Sequence, residues 1–445
     1  MIQSVNFISS PGERAAPSAR PPSDEPSLLS RSNTEERSPQ QTLRVLHASS
    51  WKTTCGIADY CANLVQSLES VGIQSEIFRL NPEQTRDRNS QELFELMDEF
   101  VDRAKQFDIV HVQHEFGLFM GKGLFHESFP VLGRALDGLR AANIPVVITF
   151  HTEPLQNLPY PPFAIRRSYV ILASRVYRMR RLWKESVANM FRRGSTGTCG
   201  IVHSGVTKAD LVRSGFGKDR VRVIPHAIVE RPSHQWSDRK AEAKQKMRLA
   251  PDAKVLSIFG FVARYKGAHF AAGLLPSLPE NYHLVIIGGS HPDNLVDNTF
   301  QTLTEMKDRE PYRGRLHLTG YADRETIDLC QGATDICLAP YLAETKLSAS
   351  GAIAWALTSG RPVIASRIAA FTEVVRSSDC MRLVTPEDSE AWIRDIQNLA
   401  NDGAAQQRLV ANARQYSQSL SWKNTARVTL DLYQEVIGSN RSPAR

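Results

Sequence analysis

Two stretches carry residue types that could hold a diphosphate. In FGFVARYKGA, Phe259–Ala268, the strand-like run KVLSIF enters a tight turn at Gly260 and delivers two cations, Arg264 and Lys266, ahead of Gly267. Two cations at a strand end can clamp diphosphate oxygens, although loop charges are more often simply solvated. In LAPYLAETKLSASGAIAWALTSGRPVIAS, Leu338–Ser366, Ser348, Ser350 and Gly351 precede an apolar helical run that stops at Gly360, with Pro362 just beyond. Ser before such a run and Gly after it are helix start and stop signals. The start presents free N–H groups and a positive dipole end to an anion, yet taken alone it reads as an ordinary cap. Both stretches at C-terminal strand ends of one open α/β sheet are harder to dismiss, because that edge is where such sheets bind ligands.

A second set of polar residues lies upstream. DIVHVQHEFG ends in His111, His114 and Glu115, PVVITFHTE ends in His151 and Glu153, and CGIVHSGV ends in His203 and Ser204. Each apolar run is separated from the next by helical sequence, the pattern of a doubly wound sheet whose C-terminal edge is lined with imidazoles. One His at a strand end is usually a satisfied structural residue; three strands ending this way describe a cleft. Gly56 opens the helix after the first strand, LRVLHASS, where it serves either as a plain turn residue or as a point of close approach to a ligand. None of the histidines has metal-ligand spacing on one element, and His114-Glu115 is not H-E-x-x-H, so no metal is assigned. No G-x-G-x-x-G follows the first strand, which argues against a nicotinamide enzyme.

The elements that must position these residues follow from length and periodicity. A chain of 445 residues is too long for one ordinary core and points to two domains. Residues 1–41 are rich in Ser, Pro, Arg and Glu and are read as a disordered leader. The first βα domain is placed at 42–230, with Ile57, Tyr60, Leu64, Leu68 and Val71 as the core face of its first helix. VRVIPHAIV, Val221–Val229, is read as its last strand. The pattern restarts over 235–420, where Glu373 is expected to start or stabilise the helix after the Pro362 strand. A terminal helix occupies 421–438, with Trp422, Ala426, Val428, Leu430, Leu432 and Val436 as its apolar stripe.

Bulk composition excludes several classes. Hydrophobic content of 42% and the lack of any apolar run near the roughly 18 residues that span a bilayer exclude an integral membrane protein of helical type. The six cysteines contain no C-x-x-C pair, so buried reduced thiols are expected rather than a zinc site or disulfide framework. A net charge of +7 suits an anionic substrate or an anionic membrane surface as well as nucleic acid. The stretch 161–193 interleaves many arginines with Phe163, Tyr169, Tyr177, Trp183 and Phe191. It is equally a solvated basic face and a helix resting on anionic lipid; nucleic acid is not expected, since no nucleic-acid fold signature accompanies it.

The pair GFVARYKG and PYLAETKLSASGAIAWALTSGRPVIAS resembles the donor-binding half of a retaining glycosyltransferase of family-4 type, with the GT-B fold. That resemblance covers roughly residues 43–437. It implies an α/β fold of two doubly wound, Rossmann-like parallel-sheet domains facing across a cleft, with the terminal helix returning to the N-terminal domain. It implies transfer of a hexose, with retention, from a nucleoside diphosphate sugar to a glycan or lipid-linked acceptor in polysaccharide or glycoconjugate biosynthesis. The nucleotide sugar is then a co-substrate and no cofactor or metal is expected. By the same resemblance Gly56, Arg264, Lys266, Tyr321, Ser348, Ser350 and Gly351 face the donor, with Tyr321 flanking the base. His151 and Glu344 position the transferred sugar, and His114 with Glu115 lies where acceptors are held. The expected location is the cytoplasm, with 161–193 as a peripheral contact at the inner face of the membrane. One departure stands out: the pair of glutamates with seven residues between them is broken, because counting back from Pro362 puts Trp355 at the second position and Leu347 at the first. The alternatives are a GT-B scaffold that binds without transferring, and an epimerase or phosphorylase of the same fold.

Overall fold

A computed structural model describes residues 42–53, 56–119, 121, 128–151, 197–213, 215–228, 236, 238–290, 297–343, 345 and 350–441. The leader 1–41, the basic stretch 161–193, Glu344 and Ser348 lie outside these residues.

Among the described residues two six-stranded parallel sheets form, each a βα repeat. The first contains β1 (Arg44–Ser49), β2 (Gln74–Arg79), β3 (Ile109–His114), β4 (Val146–Phe150), β5 (Thr198–Val202) and β6 (Val221–Val223), in the order β2-β1-β3-β4-β5-β6. The second contains β7 (Lys254–Phe259), β8 (Tyr282–Ile287), β9 (Leu316–Leu318), β10 (Ile336–Ala339), β11 (Val363–Ser366) and β12 (Arg382–Val384), in the order β12-β11-β10-β7-β8-β9. Strand order reverses between β1 and β3 in one sheet and between β7 and β10 in the other. A crevice opens at such a point because successive crossovers leave in opposite directions. The fold is α/β of GT-B type.

The central strands are buried from end to end, as parallel strands covered on both faces must be. Helix α1 (Gly56–Glu69) buries Tyr60, Leu64 and Leu68 at helical spacing against this sheet. β6 is shorter than the expected run to Val229. His226 and Ala227 leave the ladder, where the His226 ring Nδ1 meets the Ala227 carbonyl at 2.7 Å.

The terminal helix runs Trp422–Arg441 and packs back onto the first sheet and α1. Its buried face differs from the expected stripe. Thr425, Ala426, Thr429, Leu432, Tyr433 and Val436 face inward, whereas Val428 is 49% exposed. Two threonines and a tyrosine take inward positions because polar partners await at least one of them, the Tyr433 hydroxyl. Glu373 also departs from expectation. It sits within the helix Ala369–Ser378 and accepts hydrogen bonds from Gly205 N (2.7 Å) and Val206 N (3.2 Å), at the start of the helix Gly205–Arg213 that follows β5. It caps a distant helix rather than its own.

The described cysteines, Cys61, Cys199, Cys330, Cys337 and Cys380, are free and buried. No helix of the described residues is long and apolar enough to cross a membrane.

Candidate active site

The cationic turn forms at the end of β7, beside the point where the second sheet reverses. Gly260 takes φ +100°, and Arg264–Lys266 make one 3-10 turn closed by Gly267 at φ +70°. Gly267 must be glycine, because a β-carbon there would collide with the Pro340 carbonyl at the end of β10. That approach binds the two loops together, and Leu342 N donates to Tyr265 O at 2.9 Å across the same gap. The turn points Lys266 back over Gly260: a β-carbon on Gly260 would lie 3.3 Å from Lys266 Nζ and 3.6 Å from Ala352 Cβ. The ammonium therefore sits between the β7 turn and the first turn of the helix Gly351–Leu357. It is half-buried, and desolvation lowers its pKa to about 8. Arg264, by contrast, is exposed, and its backbone N–H donates to Asp297 Oδ2 at 2.7 Å.

The helix start is built as its sequence predicts. Ser350 is the cap, its Oγ accepting from Ile353 N at 3.2 Å and meeting the buried Tyr341 hydroxyl at 2.8 Å. Gly351 is exposed, and a β-carbon there would meet nothing within 4 Å, so the helix start opens onto free space. Tyr321 is 66% exposed and lies against Gly289, with its hydroxyl donating to the Ser290 carbonyl. A flat aromatic face is thus held at the end of β8, a suitable platform for a planar ring.

Trp355 is not at the surface of this site. It is buried, and its indole stacks on Phe259 with centroids 4.0 Å apart and planes 11° from parallel. The position where the family pattern carries a second glutamate belongs here to the core under the cationic turn.

On the first sheet the histidines do not form one row. Strand alternation sends His111 and Gln113 to one face and His114 to the other. His114 is buried against Phe119 and Phe150, and burial lowers its pKa to about 3. Glu115 Oε2 accepts from Gly117 N at 2.6 Å and shapes the turn after β3. His151 follows β4 on the same face as Thr149. It is half-buried, and Tyr60 of α1 is the hub beside it, with ring centroids at 4.8 Å to His151, 5.3 Å to His203 and 5.2 Å to His226. The structure therefore gathers His151, His203 and His226 around Tyr60, and sets His111 and His114 apart from that group. Desolvation holds the pKa of His151 well below the usual imidazole range, and the neighbouring His203 and His226 add to the effect. Gly56 opens α1 at the other side of the switch point, exposed and with free space where a β-carbon would lie.

Gln113, Tyr433, Tyr341 and Phe259 belong to the site's scaffold; Phe259, Tyr341 and Gln113 lie inside the quoted stretches but received no role there. Gln113 and Tyr433 had a faint signal: polar groups inside otherwise apolar strand and helix faces. Among the described residues no group of three or more His, Cys, Asp or Glu is placed to hold a metal ion.

The fold and the two switch-point crevices define a GT-B protein. Comparison with known proteins gives the family. Residues 55–230 match the model of Glycosyltransferase Family 4, and residues 253–402 match that of Glycosyl transferases group 1. The chain belongs to the family-4 type of glycosyltransferases. It is similar to a D-inositol 3-phosphate glycosyltransferase of Xylanimonas cellulosilytica, 26% identical over 241 residues, which cover 53% of this chain and 56% of that protein. It is 31% identical over 121 residues to an MMP alpha-(1->4)-mannosyltransferase of Mycolicibacterium hassiacum, covering 27% of this chain and 28% of that protein. The chain spans about half the length of the curated relatives it matches first. In fold it is similar to Anabaena HepE, solved in complex with UDP, at a TM-score of 0.63 and 16% identity, over 88% of this chain and 100% of that one.

Proposed function

We propose that this chain transfers a hexosyl group, with retention, from a nucleoside diphosphate sugar to a hydroxyl of a glycan or lipid-linked acceptor. The observation that carries the reading is Lys266, a half-buried ammonium with a pKa lowered to about 8, held between Gly260 and the open helix start at Gly351. A buried cation that disfavours its own charge is an unfavourable arrangement for a bare fold and a favourable one for an anion. In this reading the diphosphate lies against Lys266 and the N–H groups after Ser350, with Arg264 adding a second positive charge from the rim. These groups neutralise the charge that develops on the leaving phosphate, and removing such a preorganised donor typically costs on the order of 100-fold or more in rate.

Tyr321 flanks the base, and UDP, the nucleotide in the Anabaena structures, is the first one to test. His151 positions the sugar from the first sheet, and Glu344 is assigned the same task. His114 and Glu115 belong to the acceptor side, where the Glu115 turn offers backbone rather than the His114 ring. The acceptor hydroxyl attacks from the face the phosphate leaves, and the phosphate takes its proton, so the protein supplies no nucleophile. Sites of action in the cytoplasm, with 161–193 against anionic lipid, fit a lipid-linked acceptor.

A second reading is a nucleotide-sugar-binding protein without transfer activity. It rests on Trp355, which carries no carboxylate and packs into the core. The experiment that separates the two is a thermal-shift panel of UDP, GDP, ADP and their sugars on wild type and Lys266→Ala, followed by product analysis with the stabilising donor. Stabilisation by one nucleotide, abolished in the variant, together with an α-configured product from an α-configured donor, supports retaining transfer. Stabilisation without any transfer or hydrolysis supports the binding protein, and no stabilisation overturns the donor assignment.

A further inference from the structure

A chain of buried hydrogen bonds runs from the terminal helix to His151. The Tyr433 hydroxyl lies 2.6 Å from His111 Nδ1. His111 Nε2 lies 2.7 Å from Thr149 Oγ1 and 3.3 Å from Gln113 Nε2. Gln113 Oε1 in turn lies 2.8 Å from His151 Nε2. Tyr433, His111, Thr149 and Gln113 are fully buried, while His151 is only half so. A network of this kind in a low-dielectric interior fixes proton positions, because each unmatched donor or acceptor is expensive.

The proton positions follow from the amide. Gln113 Oε1 can only accept, so His151 must donate through Nε2–H. Gln113 Nε2 can only donate, so His111 Nε2 is an acceptor, shared with the Thr149 hydroxyl. His111 then carries its proton on Nδ1 and donates to the Tyr433 oxygen. Gln113 is fully buried.

Resting on the reading above, in which His151 touches the transferred sugar, we infer that Gln113 is the positioning residue of His151. It locks the ring in the Nε2–H tautomer and ties that setting to the terminal helix through His111 and Tyr433. The main chain helps, since His151 N donates to His114 O at 3.0 Å and fixes the residue at the end of β4.

Two substitutions separate positioning from packing. Gln113→Met keeps the volume and removes the acceptor, leaving His151 Nε2–H without its partner. Gln113→Glu keeps the shape and keeps an acceptor oxygen toward His151 Nε2–H. The expected result is that Gln113→Met loses roughly 10- to 100-fold in kcat, the size of a misplaced reacting group. UDP affinity, measured by calorimetry, stays unchanged in it, and Gln113→Glu recovers most of kcat. Nitrogen NMR on selectively labelled histidine reads the tautomer directly and needs no turnover. His151 protonated on Nε2 in the wild type, with that state lost in Gln113→Met, supports the inference. A wild-type His151 protonated on Nδ1, or equal losses in both variants, overturns it. Full activity in His151→Ala overturns the underlying role of His151 instead, whatever the tautomer proves to be.

Discussion

The carboxylate of Glu373 holds the backbone of Gly205. It sits in a helix of the second half of the chain and accepts from the first two N–H groups of a helix in the first half, at 2.7 Å from Gly205 and 3.2 Å from Val206. The free N–H groups of a helix start ordinarily find a cap in their own sequence. Here Ser204 supplies one, its Oγ accepting from Thr207 N at 3.1 Å, and Glu373 supplies the rest from across the fold. The bond is charge-assisted and lies along the helix dipole, so it holds the two halves in register.

Glu373→Ala should therefore lower stability by about 1–2 kcal/mol, the usual value of a lost cap, and loosen one half against the other. Calorimetry reads the first effect, and the radius of gyration by small-angle scattering reads the second. An unchanged melting temperature in Glu373→Ala would remove the carboxylate from the set of contacts that join the halves.

Lys266 gives a pH signature of opposite sign for folding and for binding. Its folded pKa of about 8 lies below the ordinary lysine value of 10.5, so between those limits the unfolded chain holds a proton that the folded chain lacks. Stability from this group rises with pH across that window, and its penalty is fully present below pH 8. A bound diphosphate favours the ammonium, so nucleotide affinity should fall about tenfold per pH unit above 8. Lys266→Met should match or exceed the wild type in melting temperature at pH 7 while losing nucleotide-induced stabilisation. A large drop in its melting temperature at that pH would mean that the ammonium is not desolvated in the fold.

The buried imidazoles make the first sheet sensitive to acid. Burial lowers the pKa of His47, His114 and His203 to about 3, from an ordinary 6.5. Below 6.5 the unfolded chain takes up protons that the folded chain refuses, so stability is lost as pH falls, by up to about 1.4 kcal/mol per unit for each such ring. Melting temperature should drop steeply from pH 6.5 to 5 and stay nearly level from 7 to 7.5. A flat profile through pH 5 would contradict a neutral, desolvated cluster.

Trp355→Glu restores the family's carboxylate in sequence but not in space. The side chain at this position stacks on Phe259 inside the core, so the substitution removes a buried indole and puts a carboxylate in its place. A loss of about 3–5 kcal/mol is expected from the truncation of a buried aromatic alone. Urea unfolding of Trp355→Glu beside Trp355→Phe is the check, with Phe keeping most of the stacking. If Glu is tolerated as well as Phe, position 355 faces the ligand crevice rather than the core.

Much of the donor half was legible in the sequence because its logic is local. The Gly260 turn, the Ser350 cap and the stop at Gly360 each depend on residues within a few positions of one another, and each forms where the spacing predicts. The alternation of apolar strands with helical stretches likewise set the α/β class, while the family resemblance rested on the two donor-side stretches. What the tertiary structure decided depends on partners far apart in the chain. Glu373 reads as a cap for its own helix until the fold brings Gly205 beside it. His111 and His114 look like equal members of one row until the pleat sends them to opposite faces of β3. Val428 fits an apolar stripe on paper, but the face of the terminal helix turns to bury Thr425, Thr429 and Tyr433, because His111 waits for a hydroxyl partner 322 residues away in sequence. Periodicity records which residues are apolar, and only packing shows which buried polar groups satisfy one another.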